Sequence, residues 1–222
     1  MKKIKVAVLA SGGGTDFQSI IDACESKKIN AELCLLICDN CDAFCMKRAE
    51  KHNISSFFID PRNKDKKTFD KELDSILSKH NIDLVVGAGY MRILTPAFVK
   101  KWYGKLINIH PAILPSFKGT NAQGDAFDYG VKISGCTTHF VDEFMDHGPI
   151  ILQAAVKVMP DDNKDSLAKR ILDVEHQILP RTIDLFAQNR LKIKGRKVNI
   201  LKGDSWIDKY KTIQNVLYSE GY

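Results

Sequence analysis

No apolar run in these 222 residues approaches the roughly 20 needed for a membrane span. The opening Met1-Lys2-Lys3-Ile4-Lys5-Val6 is basic and then apolar, as a signal peptide begins. Its apolar run is short, however, and breaks at Ser11-Gly12-Gly13-Gly14. A cytoplasmic protein with no membrane partner is therefore expected. A nucleic-acid platform is also missing. The 33 lysines and arginines outnumber the 27 acidic residues, but they are scattered and do not alternate with aromatics. The net charge of +6 reads as a solvated surface with a lysine excess, or, more sharply, as attraction for anionic small molecules. No linker and no internal repeat is visible. One domain is expected over residues 1–203, with 204–222 as a peripheral tail.

The paired C-x2-C spacing of structural zinc sites is absent. Cys34, Cys38, Cys41 and Cys45 do cluster. The first two fall on or just after an apolar strand, and the other two lie four apart on one helix face. They read as small buried hydrophobes, with a metal or redox role as the alternative. Reduced thiols and no bound metal are expected.

Hydrophobic residues make up 44% of the chain and charged residues 27%, a globular balance. Ile4 to Ala10 is Val/Ile/Leu-rich, as a strand buried on both faces must be. A helix follows with an apolar stripe at Phe17, Ile20, Ile21 and Cys24, capped by Thr15 or Asp16. Strands near 32–37, 55–59 and 83–88 alternate with helices near 42–51 and 68–79. That alternation predicts an open, mostly parallel α/β sheet with helices on both faces. Pro96 opens a short helix, 106–109 is a strand, and 122–129 a helix. Ile133–Val141 and Ile150–Val158 read as an antiparallel pair. A long helix covers 166–186, whole or broken near Pro180, and 191–201 forms a hairpin turned at Gly195.

Three places carry chemistry. Ser11-Gly12-Gly13-Gly14-Thr15-Asp16 joins a strand to a helix. It is either a plain tight turn or an anion cradle of backbone N–H groups at a helix start. It lacks the G-K-[ST] of a P-loop. It also lacks the third glycine of the dinucleotide fingerprint, where Phe17 stands. In Asn108-Ile109-His110-Pro111, strand geometry points Asn108 and His110 the same way, a structural pair or a donor beside a titratable group. The stretch from His139 to Pro149 is crowded with acids and histidines. His139, Asp142, Asp146 and His147 have ligand chemistry, but a carboxylate meeting His110 explains the cluster without a metal.

Together with Gly89-Tyr90-Met91-Arg92-Ile93-Leu94 and Leu114-Pro115, these pieces resemble the phosphoribosylglycinamide formyltransferase family of folate-dependent formyltransferases. The likeness runs from about Lys5 to Asn199. The glycine loop and Glu175-His176 point to this branch of the wider superfamily. The resemblance implies a Rossmann-like sheet with antiparallel strands toward the C-terminal half. It implies a ribotide phosphate-binding half over 1–105 and a catalytic, folate-binding half over 106–203. The expected reaction moves the formyl group of 10-formyltetrahydrofolate to the amine of glycinamide ribonucleotide, in purine synthesis. Asn108, His110 and Asp146 would be catalytic. Gly14, Thr15 and Asp16 would hold the phosphate through backbone N–H groups, and Glu175 the ribose. Tyr90, Met91, Arg92, Ile93 and Leu94, with Val141, Asp142 and Glu143, would form the folate pocket.

The sequence departs from the family in places. Asp16 stands where relatives often have asparagine. Lys66 stands near a family arginine and keeps the charge without the fork; it holds an anion or is merely solvated. Three rival readings share parts of the pattern: initiator methionyl-tRNA formyltransferase, formyltetrahydrofolate deformylase, and a phosphate-binding module without catalysis. The two enzymes usually carry a further domain, for which no room is expected here. A monomer or weak homodimer is expected.

Overall fold

The computed structural model describes residues 2–203, 213 and 215–221. The first strand, β1 (Ile4–Ala10), shows how the sheet is made. Val6, Val8 and Ala10 enter one apolar core, while Ala7 and Leu9 enter another. Alternating side chains on a pleated strand require this division when both faces are covered. β2 (Ala31–Cys38) divides the same way, with Leu36 and Cys38 against Leu35 and Ile37. So does β4 (Leu84–Gly87), with Leu84 and Val86 against Val85.

The helices supply the two covers. α1 (Thr15–Glu25), α2 (Phe44–Lys51) and α6 (Lys164–Ala187) bury Phe17, Cys45 and Ile178 in the first core. α3 (Lys66–Lys79) and α4 (Pro96–Lys101) bury Leu73 and Phe98 in the second. With β3 (Ser55–Phe58), β5 (Leu106–His110), β6 (Ile133–Phe140), β7 (Ile150–Lys157), β8 (Leu191–Lys194) and β9 (Lys197–Ile200), the sheet order is β3-β2-β1-β4-β5-β6-β7-β9-β8. β1 to β5 pair parallel, and β5–β6 and β6–β7 pair antiparallel. α5 (Ala122–Tyr129) joins β5 to β6. Strand order reverses between β1 and β4. Their carboxyl ends therefore open a crevice where open α/β sheets bind ligands.

Several local expectations are corrected. Neither Thr15 nor Asp16 caps α1: Gly14 does, at φ 68° and with no side-chain bond. Asp65 caps α3 by accepting the Thr68 N–H, so that helix starts at Lys66. α6 runs unbroken through Pro180, begun by a reciprocal Asn163–Ser166 capping box. Of the expected tail, residues 204–212, 214 and 222 lie outside the described residues. Its remainder is joined to the sheet: β10 (Leu217–Tyr218) pairs antiparallel with β7, and buried Arg181 donates from Nε to the Gly221 carbonyl at 3.1 Å.

Candidate active site

Register builds the centre of the site. Gly87 of β4 pairs with Asn108 of β5, which pairs with His139 of β6. Paired residues on adjacent strands share a face, so the three form one row. A Cβ on Gly87 would stand 2.7 Å from Asn108 Oδ1; glycine gives the amide its place. His139 Nδ1 lies 2.9 Å from the Phe140 carbonyl and therefore donates to it. In the neutral ring Nε2 is then an acceptor, facing Asn108 Nδ2 at 3.5 Å. Burial holds the His139 pKa below its ordinary value, which favours this neutral tautomer. The amide is thereby oriented, with one N–H toward His139 and the other free for a ligand oxygen.

His110 ends the same strand on the same face, and its side chain is almost wholly buried. Nε2 donates to the Phe117 carbonyl at 2.8 Å. Nδ1 faces Asp146 Oδ2 at 3.6 Å, too far for a direct hydrogen bond and close enough for charge coupling. Asp146 comes from the β6–β7 connection with φ 48°, a left-handed conformation that aspartate tolerates better than most residues. The Gly119 N–H donates to its Oδ2 at 2.9 Å, and its Oδ1 lies 4.0 Å from His139 Nε2. One carboxylate thus faces two imidazoles at the cleft floor.

The cleft holds about 330 Å³. Tyr90 to Leu94 line it from the β4–α4 connection, and Val141 to Asp146 from the β6–β7 connection. Ser11 ties the first of these to the glycine loop: its N–H donates to the Gly89 carbonyl at 3.1 Å, and its Oγ accepts the Met91 N–H at 3.0 Å. Met91, Ile93, Phe144 and Met145 are exposed around this cleft, an apolar lining suited to a flat ring system. The Tyr90 hydroxyl is buried without a partner. Arg92 stacks its guanidinium over the Phe69 ring at 4.3 Å.

The other end of the cleft is acidic. Asp16, in the first turn of α1, and Glu175, from α6, both line it. Burial raises the Asp16 pKa to about 7. Burial, reinforced by the Asp16 charge, pushes the Glu175 carboxyl well above the usual range. Asp16 Oδ1 has no hydrogen-bond partner, and His176 Nε2, also unpartnered, stands 3.9 Å away. The glycine loop is held from behind: the Cys45 N–H donates to the Gly12 carbonyl at 3.1 Å, and Arg48 Nε to the Gly13 carbonyl at 2.8 Å. Its carbonyls are turned toward α2, while the first N–H groups of α1 have no intrahelical partner by geometry. Thr15 lines a second depression, of about 430 Å³, beside His176 and Arg48.

The structure thus brings Asn108, His110, Asp146, Asp16, Glu175, Tyr90 to Leu94 and Val141 to Glu143 to one cleft. It does not bring Lys66 there; that residue is exposed in the first turn of α3. Sequence reasoning gave no individual role to Gly87, Ser11, Phe117 or Gly119; Ser11 was read only as part of the candidate anion cradle. The first two had a signal, a glycine at a strand end and a serine before the glycines. The other two act through backbone groups and had none. His139, read as a conceivable metal ligand, instead orients Asn108. Among the described residues no group of three or more His, Cys, Asp or Glu side chains could hold a metal ion, and no described helix is long and apolar enough to cross a membrane.

An open α/β sheet with an amide, an imidazole and a carboxylate converging at its switch-point cleft is an arrangement that can support acyl transfer. Residues 4–183 match the formyl transferase family, and the chain belongs to that family. It is 39% identical over 180 residues to phosphoribosylglycinamide formyltransferase of Bacillus subtilis (strain 168), covering 81% of this chain and 92% of that one. It is 42% identical over 199 residues to the trifunctional purine biosynthetic protein adenosine-3 of Chironomus tentans, covering 87% of this chain. The match spans only 14% of that much longer protein. Glycinamide ribonucleotide transformylase 1 from Symbiobacterium toebii superposes with a TM-score of 0.88 at 42% identity, covering 90% of this chain and 95% of that one.

Proposed function

We propose that this protein transfers the formyl group of 10-formyltetrahydrofolate to the amine of glycinamide ribonucleotide, a step of purine synthesis. We assign it to the cytoplasm, as a monomer or weak homodimer that needs no metal and binds no nucleic acid. The observation that carries this reading is the convergence of Asn108, His110 and Asp146 at the switch-point cleft, with Asp16, at the end of the glycine-loop segment, in its lining.

The folate ring lies among Tyr90, Met91, Arg92, Ile93 and Leu94 and the segment Val141, Asp142, Glu143. The ribotide phosphate takes the N–H groups of Gly14, Thr15 and Asp16, and Glu175 holds the ribose. The uncharged amine attacks the formyl carbon, and negative charge builds on the formyl oxygen. Asn108 Nδ2–H donates to that oxygen, and so does His110 in its imidazolium form, through Nδ1–H, while its Nε2–H stays on the Phe117 carbonyl. Loss of one such donor costs about 2.7–4 kcal/mol in comparable enzymes. Asp146 accepts the amine proton through water, and the carbon–nitrogen bond to N10 breaks as N10 gains a proton. Because Oδ2 and Nδ1 stand 3.6 Å apart, a reacting atom or a water fits alongside both. The single domain is divided into a ribotide half over 1–105 and a catalytic half over 106–203, with two crossings: Tyr90 to Leu94 reach the folate from the first half, and Glu175 reaches the ribose from the second. Lys66, outside the cleft lining, is left as a solvated lysine.

The test offers the purified protein 10-formyltetrahydrofolate with glycinamide ribonucleotide, with initiator methionyl-tRNA, or with water alone. Formylated ribotide as the dominant product supports the reading. Free formate without acceptor would make the protein a deformylase, and formylated tRNA would make it the other transferase.

A further inference from the structure

The cysteine cluster is the sequence feature that the proposed chemistry leaves unused. Cys38 ends β2, and Cys45 lies in the first turn of α2. Both are free thiols and fully buried, and their sulfurs stand 3.5 Å apart. A short exposed turn, Asn40 to Asp42, separates them from solvent. Cys45 also braces the glycine loop. Its N–H donates to the Gly12 carbonyl at 3.1 Å, and a Cβ on Gly14 would come within 2.6 Å of its own Cβ.

We propose that Cys38 and Cys45 are a reversible oxidation site, converted to a disulfide by a hydroperoxide, and that the disulfide weakens anion binding at the adjoining glycine loop. The second half rests on the ribotide reading above. Cys38 is the attacking sulfur. The Cys45 S–H donates to it, which lowers the Cys38 pKa to about 7 and raises that of Cys45. The Cys38 thiolate attacks one peroxide oxygen, the O–O bond breaks, and a sulfenic acid and hydroxide form. The Cys45 sulfur then attacks that sulfenic sulfur, losing its proton to the departing hydroxyl, and water leaves. In sum, two thiols and one hydrogen peroxide give one disulfide and two waters.

A disulfide is about 2.05 Å long, so the sulfurs must close by roughly 1.5 Å. Cys45 sits on the loop through a backbone hydrogen bond and through contact at Gly14. Its displacement therefore moves the N–H groups that face a phosphate. Cys41 is exposed and plays no part in the pair.

The experiment treats the intact protein with hydrogen peroxide, blocks remaining thiols with iodoacetamide under denaturing conditions, and maps the linkage by peptide mass. Binding of glycinamide ribonucleotide is titrated in parallel. The expected result is a Cys38–Cys45 disulfide reversed by dithiothreitol. Ribotide binding should weaken about tenfold, as loss of one charge-assisted hydrogen bond predicts. Cys41→Ser should behave as the parent, and Cys38→Ser should keep its ribotide affinity after peroxide. Absence of the linkage, or its formation with ribotide affinity unchanged, overturns the proposal. The linkage is scored by mass whether or not ribotide binds, so failure of the reduced protein to bind ribotide counts against the functional reading alone.

Discussion

Asp146 Oδ2 accepts the Gly119 N–H at 2.9 Å and stands 3.6 Å from His110 Nδ1. The carboxylate is positioned by backbone and faces the imidazole without a direct hydrogen bond between them. Nδ1 is left facing the reaction space while Nε2 is held by the Phe117 carbonyl.

This geometry gives His110→Ala a specific signature. The variant loses an oxyanion donor and keeps the pockets for both substrates. Its kcat is expected to fall about 10²–10³-fold, with KM values changed less than threefold. Steady-state kinetics with each substrate varied will measure both. A fall confined to KM would remove His110 from the transition state.

Gly87→Ala tests the strand row. The new Cβ would meet Asn108 Oδ1 at 2.7 Å, so the amide must shift. Stability is expected to drop by about 1–3 kcal/mol, the usual cost of overpacking. Turnover should fall beyond what the loss of folded protein explains. Urea unfolding and kcat corrected for active protein would separate the two effects.

Asp16→Asn carries a pH dependence. Burial holds Asp16 near 7 against an ordinary 3.8, so between these values the folded protein binds a proton that the unfolded chain has released. Stability therefore falls as pH rises through this window, and the favourable contribution is gone above the folded value. Asparagine has no such dependence. The stability gain of the variant should grow from pH 4 to pH 7 and then level off. The ionised aspartate also opposes phosphate at the helix start. Ribotide KM should therefore rise above pH 7 in the parent and stay flatter in the variant. Parallel denaturation curves and KM profiles check both effects; a stability difference that stays constant across this window would place Asp16 in the ordinary carboxylate range and overturn the prediction.

The central strands were legible because burial on both faces writes a near-continuous apolar run, as in Ile4–Ala10. Asn108 and His110 were legible because period-two geometry needs no tertiary information. The αL cap at Gly14 and the join of Leu217–Tyr218 to the sheet were not. A cap depends on backbone angles, and a short strand such as β10 gains its partner only once β7 is folded. His139 was visible as a residue but not in its role, which arises from antiparallel register opposite Asn108. Pro180 suggested a broken helix. Packing of Leu179, Thr182 and Ile183 in the interior keeps α6 whole despite one missing N–H.

Lys66→Ala should change neither KM by more than about twofold, the scale of an exposed, screened charge. Lys66 is exposed and absent from the cleft lining. A larger rise in the folate KM, checked with monoglutamyl and polyglutamyl folates, would instead give it a hold on the glutamate tail.

Asp146→Asn tests the central claim most directly. Asparagine keeps the shape and an acceptor for the Gly119 N–H, but cannot take the amine proton. In a single-turnover assay with 10-formyltetrahydrofolate and glycinamide ribonucleotide, both substrates should bind with near-parent affinity. Formyl transfer should be slowed by at least about 10²-fold, the lower range for a proton-transfer group. Transfer at the parent rate in a folded Asp146→Asn protein would contradict the account.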